Sequence, residues 1–150
     1  MKIAIVGATG LVGKKMLDIL EERNFSIKKI VPIASKKSEG NLINFRGEKH
    51  RVISLENSMN EEFDIALFSA GAGVSSKWAP QFSSKGIYVI DNSSAWRMSD
   101  DVKLIIPEIN GDILTSTDRI IANPNCSTIQ MVVALKPLHD QAIINRIVVS

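Results

Sequence analysis

Cysteine and histidine are scarce in this chain, with one Cys and two His among 150 residues. A lone thiol excludes an internal disulfide, which fits a reducing compartment, so a cytoplasmic location is expected. With so few ligand side chains there is no cluster to argue a metal centre from, and none is expected. Charge of one sign is lacking too. The 18 Lys and Arg stand against 16 Asp and Glu, a net +2. Aromatic residues make up 5%, too sparse to interleave a basic stripe, so nucleic acid is not an expected partner. Apolar runs fall well short of the ~20 residues that span a bilayer, and no membrane partner is expected. One Lys ahead of an apolar run superficially imitates a signal peptide. Glycines and Thr9 interrupt that run, and it reads better as a core strand.

The chain is 45% hydrophobic and 23% charged, with mean hydropathy +0.08. That is one globular, soluble domain's worth of chain, able to bury a core. Strand and helix patterns alternate along it. Buried-type strands are expected over residues 2–6, Ile27–Ala34, Asp64–Phe68 and Ile87–Asp91, with shorter ones near Lys49–Leu55, Leu104–Pro107 and Arg119–Ala122. Helices should follow the first glycine turn, run through Trp78 and Phe82, and run from Cys126 through Leu138. Such alternation predicts an α/β fold, a doubly wound, mostly parallel sheet with helices on both faces. Ligands of such sheets bind outside the carboxyl ends of the strands. Gly7, Ser35, Ser69, Asp91 to Ser94 and Cys126 all fall there.

The N-terminus reads Lys2-Ile3-Ala4-Ile5-Val6-Gly7-Ala8-Thr9-Gly10-Leu11-Val12-Gly13. A strand enters a glycine turn that opens a helix with Met16, Leu17, Ile19 and Leu20 as apolar positions. This is the dinucleotide fingerprint in its G-x-x-G-x-x-G form, with glycines for the tight turn, for approach to pyrophosphate and for helix–strand packing. NAD-binding chains usually place Asp or Glu about 20 residues later, to hold the ribose 2′-hydroxyl. Here position 33 is Ile, followed by Ser35-Lys36-Lys37-Ser38-Glu39-Gly40. Hydroxyls and ammonium groups suit a 2′-phosphate that a carboxylate would repel, so NADP is expected, against the plainer reading of a solvated basic loop.

Cys126 lies in Asn123-Pro124-Asn125-Cys126-Ser127-Thr128, between a strand and a helix. A sulfur at a helix N-terminus faces unpaired N–H groups and the positive end of the helix dipole, which favour the nucleophilic thiolate. Pro124 and Asn125 make the turn sharp. The competing reading is a buried structural cysteine.

With these segments in hand, the chain resembles the N-terminal half of bacterial aspartate-β-semialdehyde dehydrogenases over essentially its whole length. The likeness rests on the Gly7–Gly13 and Ala34–Gly40 segments, Ser69-Ala70-Gly71, Asp91-Asn92-Ser93-Ser94-Ala95-Trp96-Arg97-Met98, Pro107-Glu108-Ile109-Asn110 and Asn123–Thr128. It implies reversible, NADP-dependent reductive dephosphorylation of aspartyl phosphate to the semialdehyde, on the route to lysine, threonine and methionine. It makes Cys126, with Asn125, the candidate catalytic pair, Cys126 carrying an acyl-thioester. Arg97 and Asn92 become candidate phosphate ligands. The candidate cofactor contacts are Gly7, Thr9, Gly10, Leu11, Val12, Ser35, Lys37, Ser38, Ser69, Ala70 and Gly71. Without the family, the competing reading of Arg97 is a surface arginine stacked on Trp96.

The family's histidine base, its substrate-binding arginine and a C-terminal helix that packs on the nucleotide domain lie beyond residue 150. Neither His50, in a polar loop or edge strand, nor His139, near the end of the cysteine's helix, matches that base. Residues 1–140 are therefore expected to form the NADP-binding domain. Residues 141–150, with Ile143–Ser150 as an unpaired strand, are expected to begin a truncated catalytic and dimerisation domain that would make a homodimer. Two further readings stay open. N-acetyl-γ-glutamyl-phosphate reductases share the chemistry, but usually carry an aromatic where this chain has Leu11-Val12. A non-catalytic NADP-binding module would need no reactive thiol.

Overall fold

The computed structural model describes residues 1–149. Six strands form one sheet, all pairs parallel: β1 (Lys2–Val6), β2 (Lys29–Ile33), β5 (Ile65–Phe68), β6 (Tyr88–Asp91), β7 (Lys103–Leu104) and β8 (Ile120–Ala122). Their order is β2-β1-β5-β6-β8-β7, so the winding reverses direction at β1. The crevice between the carboxyl ends of β1 and β5 is thus the topological switch point, where such sheets bind ligands. Strands β3 (Leu42–Phe45) and β4 (Glu48–Arg51) form a separate antiparallel hairpin. Arg46 and Gly47 turn it with φ of 52° and 78°, the left-handed pair of a tight hairpin turn.

Period-two alternation sends the strand side chains into two cores. On one face Ala4, Val6, Ile33, Ala66, Phe68 and Val89 pack against Trp78, Ala79 and Phe82 of helix α3 (Ala72–Ser84). Leu55 and Met59, at the two ends of the short helix α2 (Leu55–Ser58), close that core. On the other face Ile3, Ile5 and Ala8 meet Leu17 of helix α1 (Leu11–Glu22) and Phe45 of the hairpin. The expected doubly wound sheet with helices on both faces is therefore observed.

Several expected boundaries move. The strand near Lys49–Leu55 stops at Arg51, because Ser54 caps α2 by accepting from the Asn57 N–H at 3.4 Å. The strand expected over Leu104–Pro107 also shortens to Lys103–Leu104. Pro107 has no N–H to give a ladder and instead opens helix α4 (Pro107–Asn110). The terminal strand over Ile143–Ser150 does not form in residues 143–149. Helix α5 (Cys126–Ala142) runs past Leu138 and ends at Ile143 in the left-handed region, φ 48°. Ile144 and Ile147 instead border a hollow with Val132, Leu135 and His139 of that helix, and a strand cannot form without a partner. Ser150 lies outside the described residues. Helix α5 buries none of its residues fully.

Candidate functional site

Every loop named by sequence leaves a strand at the same edge of the sheet. The glycine turn follows β1, and its first two N–H groups are spent on the end of β2. Gly7 and Ala8 both donate to the Ile33 carbonyl, at 2.8 and 3.1 Å. Gly7 adopts φ 91°, and a Cβ there would stand 2.7 Å from the Ser69 carbonyl carbon. No L side chain fits that position, so the turn after β1 lies directly on the turn after β5. Gly10 precedes α1 without a side chain to cap it. The first N–H groups of α1 accordingly face outward at the switch point, with Leu11 88% exposed beside them. Gly71, φ 85°, likewise leaves the start of α3 without a side-chain cap. Two helix N-termini with backbone-only approach make a cradle that suits pyrophosphate.

The Ser35–Ser38 segment adjoins this cradle through Ile33. Residues Lys36–Ser38 form a single 3-10 turn, closed by the Ser38 N–H on the Ser35 carbonyl at 2.8 Å. Ser35 and Lys37 are exposed, and Ser38 is half-buried. The one acid of the loop, Glu39, is already engaged. Its Oε1 accepts from Asn57 Nδ2 at 2.6 Å, Ser54 Oγ at 3.1 Å and the Ser54 N–H at 3.3 Å. The Asn57 amide, the Ser54 N–H and the Ser54 hydroxyl hold its carboxyl below the usual range, against a smaller opposing effect of desolvation.

The other half of the site is built from the ends of β6 and β8. Asp91 ends β6 wholly buried, and its carboxylate accepts from the Ser93 hydroxyl at 2.6 Å and the Ser93 N–H at 3.2 Å. This local turn folds the chain back so that Trp96 donates from Nε1 to the buried Ser75 Oγ of α3, at 2.9 Å. Arg97 next to it is half-buried. Its Nε donates to the Asn123 carbonyl and its Nη2 to the Asn92 carbonyl, each at 3.0 Å. Asn123 Nδ2 also donates to Asn92 Oδ1 at 2.5 Å. Two of the five guanidinium N–H groups are so used to fix the fork, and the rest remain for an anion. Arg97 is therefore no surface arginine resting on Trp96.

Asn123 starts the turn that carries Cys126. Asn125 Oδ1 accepts from the Ser127 N–H at 3.0 Å and the Ser127 hydroxyl at 2.6 Å, capping α5. Cys126 is the first residue of the helix and is exposed, not a buried structural thiol. Arg97, Asn92, Asn123 and the cysteine turn thus form one connected group.

The histidines stand apart. His50 lies on β4 with its ring edge against Phe45, 6.1 Å between centroids. His139 is 13 residues along α5 from Cys126, a rise of about 20 Å, and its Nδ1 accepts from the Ile144 N–H. A cavity between Lys2, Lys29, Glu61 and Lys85 opens at the opposite, amino-terminal end of the sheet. Its Lys2–Glu61 pair, 2.6 Å apart, ties the start of β1 to the loop before β5 and faces none of these groups. Among the described residues no three His, Cys, Asp or Glu side chains gather to hold a metal ion. None of their helices is long and apolar enough to cross a membrane.

Asp91 and Ser93 were expected at this edge and Asn123 in the cysteine turn, but their hydrogen-bonding roles were not foreseen, nor was Ser75. Asn123 carried a signal in sharing a turn with Cys126. Ser75 carried none, because only the packed position of α3 brings it under Trp96.

Comparison with known proteins agrees with this geometry. Residues 2–117 match the family described as semialdehyde dehydrogenase, NAD binding domain. Aspartate-semialdehyde dehydrogenase of Aquifex aeolicus is 55% identical over 99% of the chain, which spans only 45% of that protein. Aspartate semialdehyde dehydrogenase II of Vibrio cholerae, solved in complex with ASA, superposes with a TM-score of 0.90 at 45% identity. The likeness covers 97% of this chain and 48% of that one. The Candida albicans enzyme, solved with NADP, shares the fold at 22% identity and a TM-score of 0.77, over 95% of this chain and 48% of that one. The chain thus spans about half the length of the relatives it matches, and it belongs to the semialdehyde dehydrogenase family through its NAD-binding domain.

Proposed function

We propose that this chain is the cofactor- and nucleophile-bearing part of an NADP-dependent aspartate-semialdehyde dehydrogenase. The observation that carries the reading is Arg97, forked between the carbonyls of Asn92 and Asn123 beside the Cys126 turn. The relatives' names give the substrate class. Residues 1–140 serve as the nucleotide domain, and the segment after them leads into a second unit through which a homodimer forms in the cytoplasm.

The chemistry follows from the residues. Converting an acyl phosphate to an aldehyde at one carbon needs a group that leaves as well as it attacks, and a thiolate does both. The Cys126 thiolate attacks the acyl carbon of aspartyl phosphate, the C–O bond to phosphate breaks, and inorganic phosphate leaves with that electron pair. Arg97, with Asn92 fixing its position, binds the phosphate oxygens through the guanidinium fork. Backbone N–H groups at the start of α5 other than that of Ser127, which the Asn125 cap takes, stabilise the tetrahedral oxyanion. Gly7, Thr9, Gly10, Leu11 and Val12 receive the pyrophosphate, Ser69, Ala70 and Gly71 line the adjoining turn, and Ser35, Lys37 and Ser38 receive the 2′-phosphate. Bound NADPH supplies the hydride that releases the aldehyde and restores the thiolate.

The test is acyl transfer to the chain itself. Incubation with aspartyl phosphate is expected to release one equivalent of phosphate and leave one aspartyl group on Cys126, seen by mass spectrometry. Cys126→Ser should abolish the thioester, and Arg97→Ala should slow it. Modification that persists unchanged in Cys126→Ser would refute the reading. Steady turnover of the semialdehyde by the chain alone is not expected, since neither histidine can reach Cys126 and an absent general base costs roughly 10²–10⁴-fold.

A further inference from the structure

We infer that Glu39 is a positioning residue for cofactor selectivity: by tying the 2′-phosphate loop to the start of α2, it makes the chain favour NADPH over NADH. The inference rests on the reading of Ser35, Lys37 and Ser38 as the 2′-phosphate pocket.

A carboxylate in this loop looks at first like an obstacle, since it should repel a phosphate. The structure turns it to another use. The loop leaves β2 at Ala34, whose N–H donates to the Ile53 carbonyl at 3.1 Å. It returns at Gly40, whose N–H donates to the Val52 carbonyl at 2.9 Å. Both ends are thus pinned to the segment between β4 and α2. Between the pins Ser35 and Lys37 are exposed, and the loop is braced internally by the 3-10 turn and by the Asn41 N–H on the Ser38 carbonyl at 3.2 Å. Glu39 Oε1 supplies the third attachment, taking all three hydrogen bonds from Ser54 and Asn57 on a single oxygen. Without it, the turn that presents Lys37 and Ser38 would be held to that segment only at its two ends. A fixed loop contributes to binding because less ordering is needed when the ligand arrives.

Convergence on one oxygen makes the inference separable from simple charge. A glutamine at this position keeps the accepting oxygen and loses the charge. An alanine loses both. If only charge mattered, both variants would bind a 2′-phosphate better, because both remove a repelling carboxylate. If the attachment matters, Glu39→Ala falls while Glu39→Gln holds.

The experiment measures dissociation constants of NADPH and NADH for the 150-residue chain by fluorescence titration, with thermal unfolding as a check on folding. Glu39→Ala is expected to lower the NADPH preference about fivefold or more, mostly through NADPH, and Glu39→Gln to keep it within about twofold of wild type. Asn57→Ala, which removes the shortest of the three bonds, should fall between them and serves if Glu39→Ala does not fold. A preference unchanged or raised in Glu39→Ala, or lowered equally in Glu39→Gln, overturns the inference. Lys37→Glu separates the two claims. If it collapses the preference while Glu39→Ala does not, the attachment alone is wrong. If wild type shows no preference, or Lys37→Glu leaves it intact, the pocket reading fails and the inference with it.

Discussion

Gly13 lies so close to Gly7 that a Cβ on it would stand 2.8 Å from the Gly7 carbonyl carbon and nearer still to its oxygen. Helix α1 can therefore descend onto the end of β1 only with hydrogen at this position. The contact is backbone against backbone, so no side-chain rotation relieves it.

Gly13→Ala is accordingly expected to destabilise the chain by about 3 kcal/mol, the upper part of the usual overpacking range, and to weaken NADPH binding with it. Urea unfolding checks the first effect. Gly73→Ala is the control. That glycine sits in α3 with nothing within 4 Å of an added Cβ, so alanine should stabilise by about 0.5–1 kcal/mol through helix propensity. Equal and small effects at both sites would contradict the packing account.

Lys37→Glu is expected to weaken NADPH roughly tenfold or more while sparing NADH, since a charge-assisted contact contributes about 1.5–3 kcal/mol. Paired titrations decide it. A parallel loss for both cofactors would mean that Lys37 supports the fold and not the 2′-phosphate.

Asp118 gives a pH prediction. Lys103 Nζ at 2.8 Å, the Thr115 N–H at 2.7 Å and the Thr115 hydroxyl at 2.8 Å hold its carboxyl down to about 2, from an ordinary value of 3.8. A group with a depressed folded pKa stabilises above its unfolded value and loses that contribution as pH falls through the folded one. Part of the chain's stability should therefore fade between pH 3.8 and about 2, and Asp118→Asn should lack that part. Urea midpoints across this window test it, and an unchanged slope in the variant would assign the effect to other carboxylates. The pair matters to the site because it ties edge strand β7 to the approach of β8, the strand that delivers Cys126.

What was legible in the sequence was what local chemistry decides. Strand, glycine turn and helix follow one another within Lys2–Glu22, so the cradle and its register could be read directly. The cysteine turn was legible for the same reason: Pro124 and Asn125 act on their neighbours. Strand β3 was not legible, because Leu42–Phe45 sits in a polar stretch and pairs only through a turn in which Arg46 must take a positive φ. The strand expected at Ile143–Ser150 had the right composition, but a strand depends on a partner edge, which composition does not report. The links between Trp96 and Ser75, and between Glu39 and Ser54, join residues 21 and 15 positions apart and exist only once the helices are packed.

On the proposed reading, the glycine cradle and Cys126 serve one site. Cys126 is the sole thiol, so its alkylation by iodoacetamide reports on that site alone. NADPH is expected to slow this alkylation saturably, with half-effect at its own dissociation constant, and NADH at the same concentration to slow it less. An alkylation rate unchanged at saturating NADPH would mean that cofactor and nucleophile occupy separate places on the sheet.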